Sequence, residues 1–555
     1  MMTTDPYERV KNENLMMKWK TKPYNHQTDA YNKLYKKEGS ALFMEQGTGK
    51  SKVAIDIACN LFMEKKINAV LLIAPNGVQT QWAEEQIPIH SSVNNFIKIW
   101  KSGGGRLYKR LLDEFIQEPA NRLKWFCTNV DVFSTLTHIN KFLEYLMHNN
   151  VYVIVDESTR IKNHKANRTY NICYMLGRYK KARKRIIKVL PLSKYRSILT
   201  GTIVTNSPYD LWSMFEFLHH NYFDCNFFAF KARYGIEIKD VHPGTGRMYN
   251  RGIKPSEIQS ILRYHSEGKE PENISFMMGT SLSSVQYIIS HPKLTIPYKN
   301  LEELKKKIEP ISFIVRKDEC LDLPPKIYEQ LYVEMNTEQK RIYKELKNKL
   351  LSEYNNKELT VLNKVSLIGR LQQITGGFFP YKDDADNRKI IPITNSNPKI
   401  KRLKEDLEEA GDEIVIIWAR FVAELKMLHT ELMKTFPYKV IELYYGGTHQ
   451  YTRKKIIERF KKGEVDILIA NPRTAGIGLN LQRSSFAYYF SNSYSLEDRV
   501  QSEDRLHRIG ITKPVLYKDI IIKGTVDEKV HEVLKRKKDL LDYFRDKSLK
   551  EFIGE

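Results

Sequence analysis

Apolar residues gather along this chain into short continuous runs, separated by longer stretches in which they recur every three or four positions. Ala69 to Ala74 (AVLLIA), Trp125 to Thr128, Val151 to Val155 (VYVIV) and Ser197 to Leu199 are of the first kind. Such runs, bounded by turn residues, fit strands buried on both faces. Val53 to Phe62 has helical spacing. From about Gly411 the alternation starts again, with strand-like Ile414 to Trp418, Lys439 to Leu443, Val465 to Ala470 and Phe486 to Phe490, and with helical Ala423 to Met433 and Tyr451 to Lys461 between them. Strands alternating with helices predict an α/β fold of parallel sheets covered by helices, whose ligands sit at the carboxyl ends of the strands. Two such series predict two lobes.

Between the series the texture changes. Gly235 to about Asn300 is rich in Gly, Pro and polar residues with short helical pieces, and reads as an insertion or inter-lobe region of no legible function. Residues 301 to 350 are strongly charged with helical periodicity, broken by LDLPPK at Leu321 to Lys326, which reads as a stiff linker. The 555 residues suggest two to four domains. No apolar run approaches the ~20 residues that cross a bilayer, and the first residues lack a signal-peptide core, so a cytoplasmic protein is expected, or a nuclear one in a eukaryote. Cys59, Cys127, Cys173, Cys225 and Cys320 lie far apart without zinc spacing and read as reduced thiols. A formal charge of +24 implies a polyanionic partner, nucleic acid before membrane.

The candidate chemistry sits at the ends of the apolar runs. Ala41 to Lys52 (ALFMEQGTGKSK) joins an apolar run to a helical one through a glycine-spaced turn. In a phosphate loop, glycines let backbone N–H groups face the phosphates, a lysine reaches the β- and γ-phosphates, and a hydroxyl holds Mg²⁺. Gly47, Gly49, Lys50 and Ser51 fit, while Met44 stands where the usual first glycine falls, so a plain strand–turn–helix connection stays open. Asp156 and Glu157 end VYVIV in DESTRIKN, either to hold a metal and activate water or to pair with Arg160 and Lys162. Gln27, in PYNHQ, offers the donor and acceptor that an adenine edge uses, or is a solvated helix-start residue. Thr200 and Thr202 around Gly201 sense a γ-phosphate or cap a turn. Arg505 and Arg508, three apart in QSEDRLHRIG, share a face if helical. The run Arg178 to Lys188 has seven basic residues and no acidic one, suited to phosphate contact, to a localisation signal or simply to solvent.

Taken in order, these stretches resemble the motor of helicase superfamily two, and within it the Swi/Snf-like DNA translocases. EQGTGKS resembles that family's phosphate loop, in which the first glycine is commonly replaced. DESTRIKN, LTGTIVTNSPYDLWSMFEFL with Thr200, Gly201, Thr202 and Asn206, the bridge FIVRKDECLDLPPKIYEQLYVEMNTEQKRIY, GGTHQYTRKKIIERF, NPRTAGIGLNLQ and QSEDRLHRIG are similar to its later motifs. Two departures stand out: Ile511 replaces the glutamine that often follows HRIG, and Thr159 occurs without the DEAD pattern of related RNA helicases.

The resemblance implies two RecA-like lobes with helical insertions. The expected division is an N-terminal ATP-binding lobe at 1–235, an insertion at 236–300, a linker and helical protrusion at 301–395, a C-terminal lobe at 396–525 and a C-terminal helical segment at 526–555. It further implies an ATP site of Gln27, Gly47, Thr48, Gly49, Lys50, Ser51, Asp156 and Gly478, with Mg²⁺ on Ser51 and Asp156. Glu157 would activate water, and Arg505 and Arg508 would reach the phosphates from the second lobe. The implied activity is ATP hydrolysis coupled to translocation on duplex DNA, bound without regard to sequence, to remodel DNA or protein–DNA complexes. A helicase that separates DNA or RNA strands and a nucleic-acid-binding protein that does not hydrolyse its nucleotide are the rival readings. The absence of a recognisable chromatin-reader, nuclease or zinc module suits a compact prokaryotic or viral engine.

Overall fold

The computed structural model describes residues 19–545 apart from 102, 119–120, 136–138, 176–178, 183–184, 189–192, 202–206, 242–246, 293, 295–297, 321–322, 357–368, 383–387, 394–396, 476–478 and 509. The chain forms two units, one from 1–235 with 298–320, the other from 236–297 with 321–555.

In the first unit the runs become strands: β1 (Gly39–Met44), β2 (Ala69–Ala74), β3 (Asn95–Ile99), β4 (Leu123–Asn129) and β5 (Val151–Asp156). The basic run becomes a hairpin of β6 (Tyr179–Ala182) and β7 (Arg185–Lys188), and β8 (Tyr195–Thr200) follows. A second hairpin, β9 (Glu237–Val241) with β10 (Met248–Gly252), belongs to the other unit. The first unit is then completed by β11 (Ser312–Val315). Seven of these strands form one sheet in the order β11-β1-β8-β5-β2-β4-β3, every pairing parallel. β1, β2, β5 and β8 are buried along their whole length, and β2 is apolar throughout, whereas β3 at the edge is half-buried throughout.

The second unit repeats this architecture. β12 (Lys326–Val333), a hairpin of β13 (Phe378–Lys382) and β14 (Arg388–Pro392), then β15 (Val415–Trp418), β16 (Ile441–Tyr444), β17 (Ile467–Ala470), β18 (Phe486–Tyr489) and β19 (Val515–Ile522) follow in the chain. Six of them make a wholly parallel sheet in the order β12-β19-β18-β15-β17-β16. Its two faces pack into separate cores: Val415 and Ile417 enter one, Ile416 and Trp418 the other, as side chains alternate along the strand. The α/β fold of parallel, helix-covered sheets expected from the sequence is therefore present in both units.

Residues 301–350 hold strands as well as helices, because β11 and β12 are edge strands completing the two sheets, and β12 carries charged residues, Lys326 and Glu329, that an edge tolerates. Residues 236–297 have a core of their own, in which Ile238 from the hairpin and Ile236 and Ile253 at its base meet Ile258, Ile261, Ile274, Val285 and Ile288 from three helices. Where the chain leaves the first unit and returns to it, Gly235 and Tyr298 pair in an antiparallel bridge. Among the described residues no helix is long and apolar enough to cross a membrane, and no three His, Cys, Asp or Glu gather as a metal cluster. Cys59, Cys127 and Cys173 are buried, Cys225 and Cys320 half-buried, and all five are free thiols.

Candidate active site

β1, β8 and β5 are neighbours, so their carboxyl ends bring the glycine loop, Thr200–Gly201 and Asp156–Glu157 together. The loop leaves β1 at Met44 and enters the helix Lys50–Met63. Gly47 (φ 86°) and Gly49 (φ 92°) are left-handed, a conformation in which a Cβ is strained. At Gly49 a Cβ would also lie 2.1 Å from Gln27 Nε2. The loop is anchored through one carbonyl: Thr48 O accepts from Gln27 Nε2 at 2.9 Å and from His26 Nε2 at 2.8 Å. Because a trans peptide points its N–H opposite its C=O, fixing that carbonyl turns the Gly49 N–H away from Gln27 and His26. Thr48 Oγ1 closes the turn on Glu45 O at 2.6 Å, and the Lys317 N–H, just beyond β11, donates to Glu45 Oε2 at 3.0 Å. Both ends of the Gln27 amide are engaged within the chain, since its Oε1 accepts from the Tyr24 N–H at 3.1 Å.

Asp156 is the last residue of β5 and is buried. Its Oδ2 accepts from the Trp82 indole N–H at 2.7 Å and its Oδ1 from the Glu157 N–H at 2.9 Å. Trp82 opens a π-helical turn, Trp82–Gln86, a widened turn of a kind common at functional sites. Glu157 is left-handed (φ 49°, ψ 56°) without being glycine, a strain on the order of 1–3 kcal/mol that the surroundings hold in place. Its Oε1 accepts from Gln46 Nε2 at 2.9 Å, so the glycine loop grips the acidic pair directly. Gln46 Oε1 is buried with no hydrogen-bond partner, an acceptor left at the site. A Cβ on Gly201 would lie 3.0 Å from Gln46 Cγ and 3.7 Å from Lys50 Nζ, so only glycine lets the end of β8 approach the loop this closely. One turn into the helix, Lys52 and Asp56 form a buried pair at 2.7 Å; burial pushes the Asp56 carboxyl up to about 6, against the pull of Lys52.

In the second unit, NPRTAGIGLNLQ and QSEDRLHRIG meet. Leu481 N–H donates to Arg505 O at 3.0 Å, and Arg508 Nη1 donates to Leu479 O at 3.2 Å. Arg505 and Arg508 would share a face if helical, but the helix Leu496–Glu503 ends before them and Asp504 to Arg508 form turn and bend. Long-range bonds explain the break. Glu503 O accepts from Tyr517 OH at 2.8 Å, Lys326 Nζ lies 3.3 Å from both Glu503 and Asp504, and the His507 ring bonds Pro324 O at 2.7 Å. Arg505 is buried, and Arg499, in the preceding helix, lies 3.5 Å over the Tyr489 ring and bonds both Asp519 and Glu503. Ile511, at the position of the missing glutamine, packs against the apolar core. Thr202, Asn206 and Gly478 lie outside the described residues.

His26, Gln46, Trp82 and Lys326 were not singled out from the sequence, since each acts on a residue distant in the chain. For Gln46 a signal existed, its place inside the glycine turn.

Two family models match the chain: SNF2-related domain over residues 13–375 and helicase conserved C-terminal domain over residues 398–510. An uncharacterized ATP-dependent helicase of Mycoplasma genitalium is 23% identical over 513 residues, 91% of this chain and 40% of that protein. The ATP-dependent helicase FUN30 of Saccharomyces cerevisiae is 23% identical over 552 residues, 93% of this chain and 46% of that protein. The chain thus spans less than half the length of these relatives. A structure of the Sulfolobus solfataricus SWI2/SNF2 ATPase core in complex with dsDNA aligns over 96% of this chain and 97% of that one, at 20% identity and a TM-score of 0.37. With the SNF2-related model covering well over half of its residues and the helicase C-terminal model following in order, the chain belongs to the SNF2-related family, the Swi/Snf-like branch of helicase superfamily two.

Proposed function

We propose that this protein is a DNA-dependent ATPase that couples ATP hydrolysis to translocation on double-stranded DNA, remodelling DNA or protein–DNA complexes. The observation that carries the reading is the joining of glycine loop and acidic pair through Gln46 at the carboxyl ends of three adjacent strands. Lys50 neutralises the β- and γ-phosphates at the start of its helix, where the backbone N–H groups add partial positive charge. The Asp156 carboxylate and Ser51 hydroxyl are hard oxygen donors of the kind Mg²⁺ takes, and they fit it. Bound there, Mg²⁺ would neutralise charge on the phosphate oxygens. Glu157, held by Gln46 and by its strained backbone, accepts the proton of the attacking water at its carboxylate. Gln27 recognises the adenine edge by exchanging its Tyr24 and Thr48 bonds for the base. Gly478 joins the nucleotide site, and Arg505 and Arg508 stabilise charge that develops on the transferring phosphoryl group. The partner follows from charge: an excess of 24 cationic side chains favours phosphate contacts, which track a duplex without reading its sequence.

The test is the ATPase rate of the purified protein alone and with single-stranded DNA, duplex DNA or RNA, beside Glu157→Gln. Stimulation by duplex DNA, abolished in Glu157→Gln, is the expected result. A parent that duplex leaves unstimulated, or a Glu157→Gln protein as active as the parent, refutes the proposal. Release of a paired strand in a displacement assay would move the reading to a strand-separating helicase.

A further inference from the structure

The motor reading leaves residues 236–297 without a task. Their last two helices, Pro271–Met278 and Leu282–Ser290, are joined by three residues, Gly279, Thr280 and Ser281. Gly279 is left-handed (φ 59°), and a Cβ there would lie 3.1 Å from Lys239 O, so glycine is required twice over. Ser281 caps the second helix by accepting from the Ser284 N–H at 3.2 Å. Ile274 from one helix and Val285 and Ile288 from the other are fully buried, and both helices pack on a third, Pro255–Ser266. Two short helices joined through a glycine-containing turn of three residues, folded onto a third helix, make a helix-turn-helix. The hairpin braces the turn: Thr280 Oγ1 donates to Glu237 O at 2.6 Å, and the Lys239 N–H donates to Gly279 O at 2.5 Å.

What the second helix shows to solvent indicates its partner. Ser283, Gln286 and Ser290 are exposed on one face, polar and uncharged, while its apolar stripe is turned inward. The sequence holds no Asp or Glu between Glu272 and Glu302, so nothing on this helix repels phosphate. A helix of this kind fits the major groove, where a glutamine can bond both N6 and N7 of adenine and a serine can bond several base edges.

We propose that residues 236–297 are a second DNA-binding element, a helix-turn-helix whose helix Leu282–Ser290 reads base edges in the major groove of duplex DNA through Ser283 and Gln286. It would bias where a sequence-blind motor engages, and it stands whether or not the motor hydrolyses ATP.

The full-length protein, without nucleotide and at one fixed salt concentration, is used to select from a pool of randomised duplexes. The parent is expected to enrich a short sequence containing adenine. Gln286→Ala should lose discrimination at one base pair by on the order of tenfold to a hundredfold. Ser283→Glu, which sets a carboxylate against the phosphates, should abolish enrichment. Gln259→Ala, exposed on the third helix, should enrich as the parent does. Circular dichroism confirms that each variant is folded. A parent that enriches nothing overturns the proposal and turns attention to protein docking at the exposed Phe276. Folded Gln286→Ala and Ser283→Glu proteins that keep the parent's preference overturn it equally. DNA-stimulated ATPase of the parent, measured separately, decides the motor reading alone.

Discussion

Glu424 is fully buried in the second unit, where it caps the helix Val422–Thr435. Its Oε2 accepts from the Phe421 N–H at 3.1 Å and from Ser491 Oγ at 2.5 Å, while Oε1 has no partner and lies close over Gly376. Burial pushes the carboxyl from 4.5 up to about 7; Ser491, the charge of Lys399 and the Phe421 N–H oppose this, and Asp527 adds to it. Between those two values the folded protein keeps a proton that the unfolded chain has lost. Stability therefore falls as pH rises through that window, by about 1.4 kcal/mol for each tenfold difference in proton affinity between the folded and unfolded chains, or roughly 3 kcal/mol in all. Above about 7 the penalty is complete and constant. Glu424→Gln cannot titrate. Its buried amide nitrogen, lacking a partner, costs about 1–3 kcal/mol at every pH, so the loss of slope is separable from the offset. Urea unfolding at about pH 5 and about pH 8, followed by pulsed deuterium labelling of Val415–Trp418, should show the parent losing roughly 3 kcal/mol more than the variant. Equal losses in the two proteins would refute the buried, protonated carboxyl.

The remaining predictions concern the first unit and the arginines. Lys50→Ala should weaken nucleotide binding in a fluorescent-nucleotide titration, whereas Arg508→Ala should keep binding and lose turnover; equal loss of affinity would sink the assigned roles. Trp82→Phe removes the indole donor to Asp156, a charge-assisted bond typically worth about 1.5–3 kcal/mol. The Mg²⁺ concentration for half-maximal ATPase should rise about tenfold or more; a lower rate at unchanged Mg²⁺ dependence would mean that Trp82 only packs. His90 is held at about 4 by burial and by the charges of Lys52 and Lys20. The unfolded chain binds the proton first, so stability is lost as pH falls from 6.5 towards 4. His90→Gln should flatten that part of a melting-temperature profile, and an unchanged acid limb would show that His90 does not contribute.

Strands buried on both faces announce themselves, and so Ala69–Ala74 is a strand at the limits read from its sequence. Of the edge strands only β16 was legible, as Lys439 to Leu443. β3, β11 and β12 mix polar and apolar residues because one side meets solvent, and β12 begins at Lys326, whose partners Glu503 and Asp504 lie far along the chain. The glycine loop and the acidic pair were legible because their chemistry is local to a few residues. Trp82 and His26 were not, because what they do is fixed by Asp156 and Thr48, which only folding brings near. The motif resemblance agrees with the family match over both halves of the chain. In 236–297 the spacing Ile274, Gly279, Val285 and Ile288 was present in the sequence, but a composition rich in Gly, Pro and polar residues read as an insertion with short helical pieces and no legible function.

The edge pairing of β12 with β19 joins Lys326–Val333 to Val515–Ile522, residues separated by about 190 positions. During synthesis the second sheet therefore waits with an open flank until Val515–Ile522 has left the ribosome. The first sheet closes earlier, when β11 pairs with β1. Contacts of such long range are slow to form. An arrest or truncation before Val515 would leave β12 and β18 without the strand that joins them, a nascent species prone to self-association and dependent on chaperones.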